Sequence, residues 1–296
     1  MKYCDRKGNR WEENSGQDRF LSWVYAHSLT RRVIKCLTFP CVSRFFERLL
    51  KSSLSKALVG PFVRANKIDL SLYEPCSYAS YNDFFTRKIR PGLRPVNLTG
   101  DLLISPCDGK LSVYPISSRS AFYIKNSAYT VESLTRSKKL ARKYEGGWCV
   151  LIRLTVDDYH RYCYVDSGKK TKNYHISGCL HTVNPAAVEQ IDVYKENSRE
   201  FTMIRSQNFG DMVQMEVGAL MVGKIRNHQG AGTVVRGEEK GYFEFGGSTV
   251  ILLLEGSRVA MDRDLCQNTA LGYETKVQMG EVIGHAQPGR TVHGEN

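Results

Sequence analysis

Residues 237–254 read Gly-Glu-Glu-Lys-Gly-Tyr-Phe-Glu-Phe-Gly-Gly-Ser-Thr-Val-Ile-Leu-Leu-Leu. Two short apolar runs, Tyr242–Phe245 and Thr249–Leu254, flank a pair of glycines. Runs this short, rich in aromatic and branched residues and bounded by glycine, have the grammar of strands. The same grammar holds from about Leu102 onward, at Trp148–Leu154 and Val213–Val217. The pattern that opens the stretch, Gly237-Glu238…Gly241, returns at Gly280-Glu281…Gly284 beside another β-rich run. Two copies predict a duplicated β unit: a mainly antiparallel sandwich closed from two similar halves.

Upstream the chain changes character. Val42, Phe45, Phe46, Leu49, Leu50, Leu54, Ala57 and Leu58 recur at the spacing of one helix face, with Arg44, Arg48, Lys51 and Lys56 on much of the rest. Residues 20–68 are therefore expected to be helical, with Pro40 near a helix start and Gly60-Pro61 ending it. The connector 78–96 carries Pro91-Gly92 and Pro95, which break any helix there. The expected class is α+β. Residues 1–77 form a basic amphipathic helical region, and residues 78–296 form the β-rich body.

Charge sharpens this division. The chain of 296 residues carries 42 Lys+Arg and 30 Asp+Glu, a formal net charge of +12. Residues 1–100 hold 18 basic and 8 acidic side chains, so +10 of the +12 lies there. Residues 20–68 hold nine basic residues and one acidic residue, Glu47. An apolar stripe flanked by cations suits a helix lying on anionic lipid, and equally a surface helix whose stripe faces a core. The segment carries no recognisable nucleic-acid motif, so a nucleic-acid partner is not expected.

A hydrophobic content of 42% and a charged content of 24% exclude a largely disordered chain and a fibre. No apolar run is long enough for a membrane-spanning helix, and Met1–Arg6 lacks the apolar core of a secretion signal. Nine cysteines without CxxC or zinc spacing read as reduced thiols in a cytosolic compartment, with no metal site.

Three stretches could carry chemistry. In Gly246-Gly247-Ser248-Thr249 a serine stands at the mouth of a strand; these four residues by themselves read as a hairpin turn or bulge. A serine hydroxyl there can attack the carbonyl before it and turn the amide into an ester. Elimination of that ester and hydrolysis leave a pyruvoyl group on a new N-terminus. This needs a base and donors for the oxyanion. In Asp157-Asp158-Tyr159-His160-Arg161-Tyr162-Cys163, His160 is a candidate acid or base among charged neighbours. In Ser105-Pro106-Cys107-Asp108-Gly109, Asp108 either makes a turn or orients a histidine. Asp108, His160 and Ser248 would make an Asp–His–Ser set. A G-x-S-x-G elbow is absent, which counts against a serine hydrolase. Asn197 and Arg199 are further candidates, Arg199 for a phosphate or carboxylate.

Taken together these motifs resemble the phosphatidylserine decarboxylase proenzymes. The matching stretches are Phe84-Phe85-Thr86-Arg87 with Arg94-Pro95, Ser105-Pro106-x-Asp108-Gly109 and Asp158-Tyr159-His160-Arg161. Val183-Asn184-Pro185, Asn197-x-Arg199, Val217-Gly218-Ala219 with Val222-Gly223, and Gly247-Ser248-Thr249 complete the set. The likeness runs from about residue 78 to 284. It implies self-cleavage between Gly247 and Ser248, giving a β chain 1–247 and an α chain 248–296 headed by a pyruvoyl group. It implies decarboxylation of phosphatidylserine to phosphatidylethanolamine in phospholipid biosynthesis. The lipid amine would form a Schiff base with the pyruvoyl carbonyl, without a metal or pyridoxal phosphate. It further implies Asp108, His160 and Ser248 as catalytic residues and Asn197 and Arg199 as substrate-binding ones. A homodimer of αβ units, peripheral on the cytoplasmic face of the cell membrane, completes the expectation. One departure stands out: many members carry a second histidine where this chain has Cys163, which leaves the base for self-cleavage open.

Overall fold

The computed structural model describes residues 1–13, 40–117, 121–124, 127–178, 193–218, 224–245 and 248–287. Residues 20–39 of the basic segment, Val183-Asn184-Pro185, Ala219, Val222-Gly223 and Gly247 lie outside them. Among the described residues the chain forms seven α-helices and nineteen strands, paired antiparallel with one exception.

Three of the five longest strands, Trp148–Leu154, Asp211–Gly218 and Ser248–Leu254, cover apolar runs read from the sequence. The central sheet runs β14 (Gly232–Val234), β9 (Gly168–Lys170), β11 (Arg199–Ser206), β12 (Asp211–Gly218), β16 (Ser248–Leu254), β7 (Trp148–Leu154), β4 (Gly109–Pro115) and β18 (Glu274–Val277). β1 (Lys2–Cys4) and β2 (Arg10–Glu12) extend it past β18, and β10 (Tyr174–Ile176) also pairs with β11. Every residue of β16 is buried, because the sheet is covered on both faces; the strand therefore reads as one unbroken apolar run. The pleat sends Val150, Ile152, Val250 and Leu252 to one face and Leu151, Ile251 and Leu253 to the other.

The first face is covered by two three-stranded sheets. One is β13 (Lys224–Asn227), β15 (Glu239–Glu244) and β8 (Arg161–Cys163). The other is β17 (Val259–Met261), β19 (Val282–Ala286) and β3 (Leu102–Ile104). The opposite face is covered by the hairpin β5 (Ala121–Ile124) and β6 (Ser127–Thr130) and three short helices. These are α4 (Val131–Thr135), α5 (Lys138–Lys143) and α6 (Val193–Glu196).

The duplication expected from the repeated glycine pattern is present in the pairing. β9, β11, β12 and β14 pair among themselves as β4, β7, β16 and β18 do, and the halves meet at β12–β16. Each small sheet repeats the other, with β15 and β19 in the middle, each bulged by one residue between Glu239 and Gly241 and between Val282 and Gly284. The glycine turns match bond for bond. Gly237 donates to the Tyr164 carbonyl and Glu238 accepts from the Tyr164 amide, both at 2.9 Å. Gly280 donates to the Ser105 carbonyl at 2.9 Å and Glu281 accepts from the Ser105 amide at 2.8 Å. Gly237 and Gly280 have φ of +78° and +85°, which is why glycine heads each copy. In sequence the second half is inserted between β7 and β16 of the first.

The N-terminal part differs from expectation in two respects. First, Lys2–Cys4 joins the central sheet parallel to β18, so the chain begins in the β body before the helices. Second, Gly60-Pro61 does not end a helix. The helix α1 (Pro40–Lys51) stops at Ser52, a 3₁₀ turn covers Ser53–Leu58, and α2 (Val59–Ala65) contains both Gly60 and Pro61. Pro61 sits in the first turn of α2, where a missing N–H costs no helical bond. These elements and α3 (Tyr81–Phe85) pack around Leu50, Tyr81, Phe84, Phe85 and Tyr159. The remaining helix, α7 (Arg263–Ala270), leans on β4 and β18.

Candidate active site

Ser248 opens β16 between two strands, opposite Gly218 of β12 and Leu154 of β7. Its side chain is fully buried, and among the described residues Oγ has no hydrogen-bond partner. Buried hydroxyls in folded proteins are nearly always bonded, so an orphan at the head of a central strand points to chemistry.

From Leu154 the chain turns through Thr155–Tyr159 to His160. Asp158 locks this turn, accepting from the Thr155 amide at 2.7 Å, the Thr155 hydroxyl at 2.9 Å and Lys110 Nζ at 2.7 Å. Burial opposes ionisation of Asp158, but Lys110 and the Thr155 donors outweigh it and hold the carboxyl below its ordinary range. His160 Nδ1 lies 2.9 Å from the Asp158 carbonyl. A carbonyl can only accept, so Nδ1 carries the proton and Nε2 presents a bare lone pair. Nε2 is buried and without a partner among the described residues. Burial and the Arg87 charge push His160 down to about 4, against the pull of Asp158.

The Phe84–Arg87 motif is built against this histidine. The Phe85 ring lies 4.1 Å from the His160 ring, and Phe245 lies 5.7 Å from Phe85. Arg161 donates to the Thr86 carbonyl at 3.0 and 2.8 Å and to Glu239 at 2.7 Å. Arg87 rests over the Tyr73 and Phe84 rings and donates to Tyr73 Oη at 3.2 Å. The Phe243 amide donates to the His160 carbonyl at 3.0 Å, which ties the strand leading toward Ser248 to the histidine turn.

Asp108 has other partners. Its carboxylate receives Arg94 through Nε at 2.8 Å and Nη2 at 2.5 Å, and the Met279 amide at 2.8 Å. None of its bonds goes to His160. The residue against its loop is Cys163, whose amide donates to the Pro106 carbonyl at 2.8 Å. Burial, with help from the Glu239 and Asp108 charges, pushes the Cys163 thiol up to about 12, so it stays protonated.

Asn197 and Arg199 are completely buried. Arg199 donates to the carbonyls of Ser133, Leu134, Lys195 and Asn197 at 2.7–3.0 Å. Asn197 Nδ2 donates to the Gly218 carbonyl at 2.8 Å, and the Gly218 amide donates to the Ser198 carbonyl at 3.0 Å. Both residues therefore brace the strand end that faces Ser248.

Sequence reasoning passed over the ring contact of Phe85 and a buried ion pair, Glu216–Lys240, at 2.5 Å. The signal for the pair was present: Gln214 and Glu216 interrupt an otherwise apolar strand at alternate positions.

Residues 81–285 match the family model described as phosphatidylserine decarboxylase. The chain belongs to the phosphatidylserine decarboxylase family. A phosphatidylserine decarboxylase proenzyme 2 of Clostridium acetobutylicum is 44% identical over 91% of this chain and 92% of its own length. Phosphatidylserine decarboxylase proenzymes of Desulfitobacterium hafniense and Clostridium perfringens are 36% and 37% identical over 98% and 96% of this chain, and 100% and 99% of their own lengths. The chain is thus an enzyme of the decarboxylase family, and the name proenzyme given to these relatives speaks of processing. Among the described residues no helix is long and apolar enough to cross a membrane.

Proposed function

We propose that the chain cuts itself between Gly247 and Ser248, turns Ser248 into a pyruvoyl group, and uses it to decarboxylate phosphatidylserine to phosphatidylethanolamine. The observation that carries this reading is the orphan hydroxyl of Ser248. It heads a strand held on both sides, so the new N-terminus of a 49-residue α chain would stay fixed in the sheet after the cut. The residues present fit such a group: the serine that yields it is buried, and so is a neutral histidine with one bare nitrogen. The pyruvoyl group supplies an electrophilic carbonyl for the substrate amine and a sink for the electron pair released with carbon dioxide.

His160 moves the protons. Its Nε2 is unprotonated at neutral pH, so it first takes a proton from the lipid ammonium. It then returns that proton to the carbon that has lost its carboxylate. Phe85 and the Asp158 carbonyl fix the ring for both transfers. Asp108 acts by position: with Arg94 it holds the turn at Met279 on which the Ser105–Gly109 loop sits. Asn197 and Arg199 act through Gly218, holding the strand that faces Ser248.

The N-terminal layer delivers the lipid. Phe45, Leu54 and Leu58 are 63%, 79% and 50% exposed, next to Arg48, Lys51 and Lys56. The inner side of the same layer holds Phe85 against His160. An apolar ridge with cations beside it suits the surface of an anionic membrane, where this substrate is concentrated. The test is release of carbon dioxide from carboxyl-labelled phosphatidylserine vesicles by the purified protein. Wild type releases it and Ser248→Ala does not; equal release by both would refute the reading.

A further inference from the structure

Resting on the reading that Ser248 is converted, we propose that Glu216 is the proton acceptor for that conversion, held in place by Lys240. β12 and β16 pair with Gly218 opposite Ser248 and Glu216 opposite Val250. The pleat puts Glu216, Gly218, Ser248 and Val250 on one face. Glu216 is therefore the diagonal neighbour of Ser248, a relation within reach of a long side chain. The residue directly opposite Ser248 is a glycine, which puts no side chain between them.

The pair itself has the marks of a working group. Glu216 and Lys240 are both completely buried. One carboxylate oxygen, Oε2, receives Lys240 Nζ at 2.5 Å and Asn227 Nδ2 at 3.4 Å. The other, Oε1, is buried with no partner among the described residues, as is Ser248 Oγ. Lys240 also donates to Asn227 Oδ1 at 2.8 Å and lies over the Tyr162 ring. It is the extra residue of the β15 bulge, since Glu239 pairs with Cys163 and Gly241 with Tyr162. Bulges re-aim a side chain, here an ammonium into a dry core. Apolar residues of similar volume would stabilise this core at least as well, so stability does not account for the pair. Burial pushes Glu216 up, against the pull of Lys240, and pushes Lys240 down.

Other candidates are engaged. Asp108 is bound by Arg94 and the Met279 amide. The Cys163 thiol stays protonated. His160, pushed down to about 4, is a weak base toward a hydroxyl.

The chemistry balances. Ser248 Oγ bonds to the carbonyl carbon of Gly247 while its proton passes to Glu216. The C–N bond breaks, and that proton goes to the Ser248 nitrogen, leaving an ester. Glu216 then takes the Cα proton of Ser248; the electron pair forms a Cα=Cβ bond as Cβ–Oγ breaks and Gly247 leaves as a carboxylate. The proton returns to the methylene carbon, and one water replaces nitrogen with oxygen, releasing ammonium. No net electrons are gained or lost.

The test follows cleavage by intact mass in the full chain, with folding checked by circular dichroism. Wild type must split at 247/248; if it does not, the underlying reading fails rather than this one. Glu216→Gln keeps the shape and the bonds to Lys240 and Asn227. It is expected to stay one chain, at least about 100-fold slower to split, and hydroxylamine releases no fragment because no ester forms. The double variant E216L/K240M removes both charges, and it is expected to fold and remain uncleaved. Cleavage of either folded variant within about threefold of wild type would overturn the proposal. Failure of both to fold would also overturn it, by making the pair structural.

Discussion

His160 donates its Nδ1 proton to the main-chain carbonyl of Asp158 at 2.9 Å, and among the described residues no carboxylate bonds to the ring. A carboxylate partner would stabilise the charged imidazolium. A carbonyl partner fixes the tautomer without doing so. Inside an aromatic layer with Arg87 nearby, the ring is therefore held neutral, and its open nitrogen is ready to receive a proton before giving one.

This has a consequence for stability. The ordinary histidine value is 6.5 and the folded value is about 4, so the unfolded chain takes up this proton first as pH falls. The neutral ring favours the folded state above about pH 6.5, and that advantage is lost on acidification toward pH 4. Between pH 7 and 4, wild type should lose about 3 kcal/mol more unfolding free energy than His160→Gln, measured by urea titration. Parallel pH curves for the two proteins would count against a neutral buried ring.

Arg94 and Asp108 should behave as a unit. Arg94→Met and Asp108→Asn are each expected to cost about 2 kcal/mol, and the double variant little more than either, because each single change strands the other buried group. Additive costs would mean that the carboxylate draws its importance from a partner other than Arg94.

Arg199→Met should destabilise the fold by about 3 kcal/mol, since four carbonyls lose a charged donor inside the core. The KM of the remaining folded enzyme for lipid is expected to stay unchanged. A raised KM at unchanged stability would instead put the guanidinium on the lipid headgroup.

Much of this was legible in the sequence, for physical reasons. Trp148–Leu154 and Thr249–Leu254 read as strands because burial on both faces demands an unbroken apolar run. The duplicated half was visible because Gly237 and Gly280 meet the same backbone requirement. Pro61 misled because proline marks a helix stop and a helix start alike; here the first helix has already ended at Lys51 and Pro61 lies in the first turn of the next. The place of Lys2–Cys4 in the sheet was hidden because its partner, Glu274–Val277, is remote in sequence. The partners of Asp108 depend on Arg94 and Met279 converging from two sides, which spacing does not encode.

The exposed ridge should govern lipid contact. Leu54→Ser combined with Leu58→Ser is expected to weaken binding to phosphatidylserine vesicles at least about tenfold, from lost apolar burial. Binding of wild type should also fall with rising salt as the neighbouring cations are screened. Sedimentation of both proteins with vesicles at low and high salt checks this; unchanged binding by the variant would move the contact elsewhere.

The most direct measurement is the intact mass of the purified protein. The account predicts two chains, residues 1–247 and 248–296, the smaller one blocked at its N-terminus and lighter by one ammonia than a serine-headed fragment. A single chain of 296 residues in an active preparation, or a fragment that still begins with serine, would contradict it.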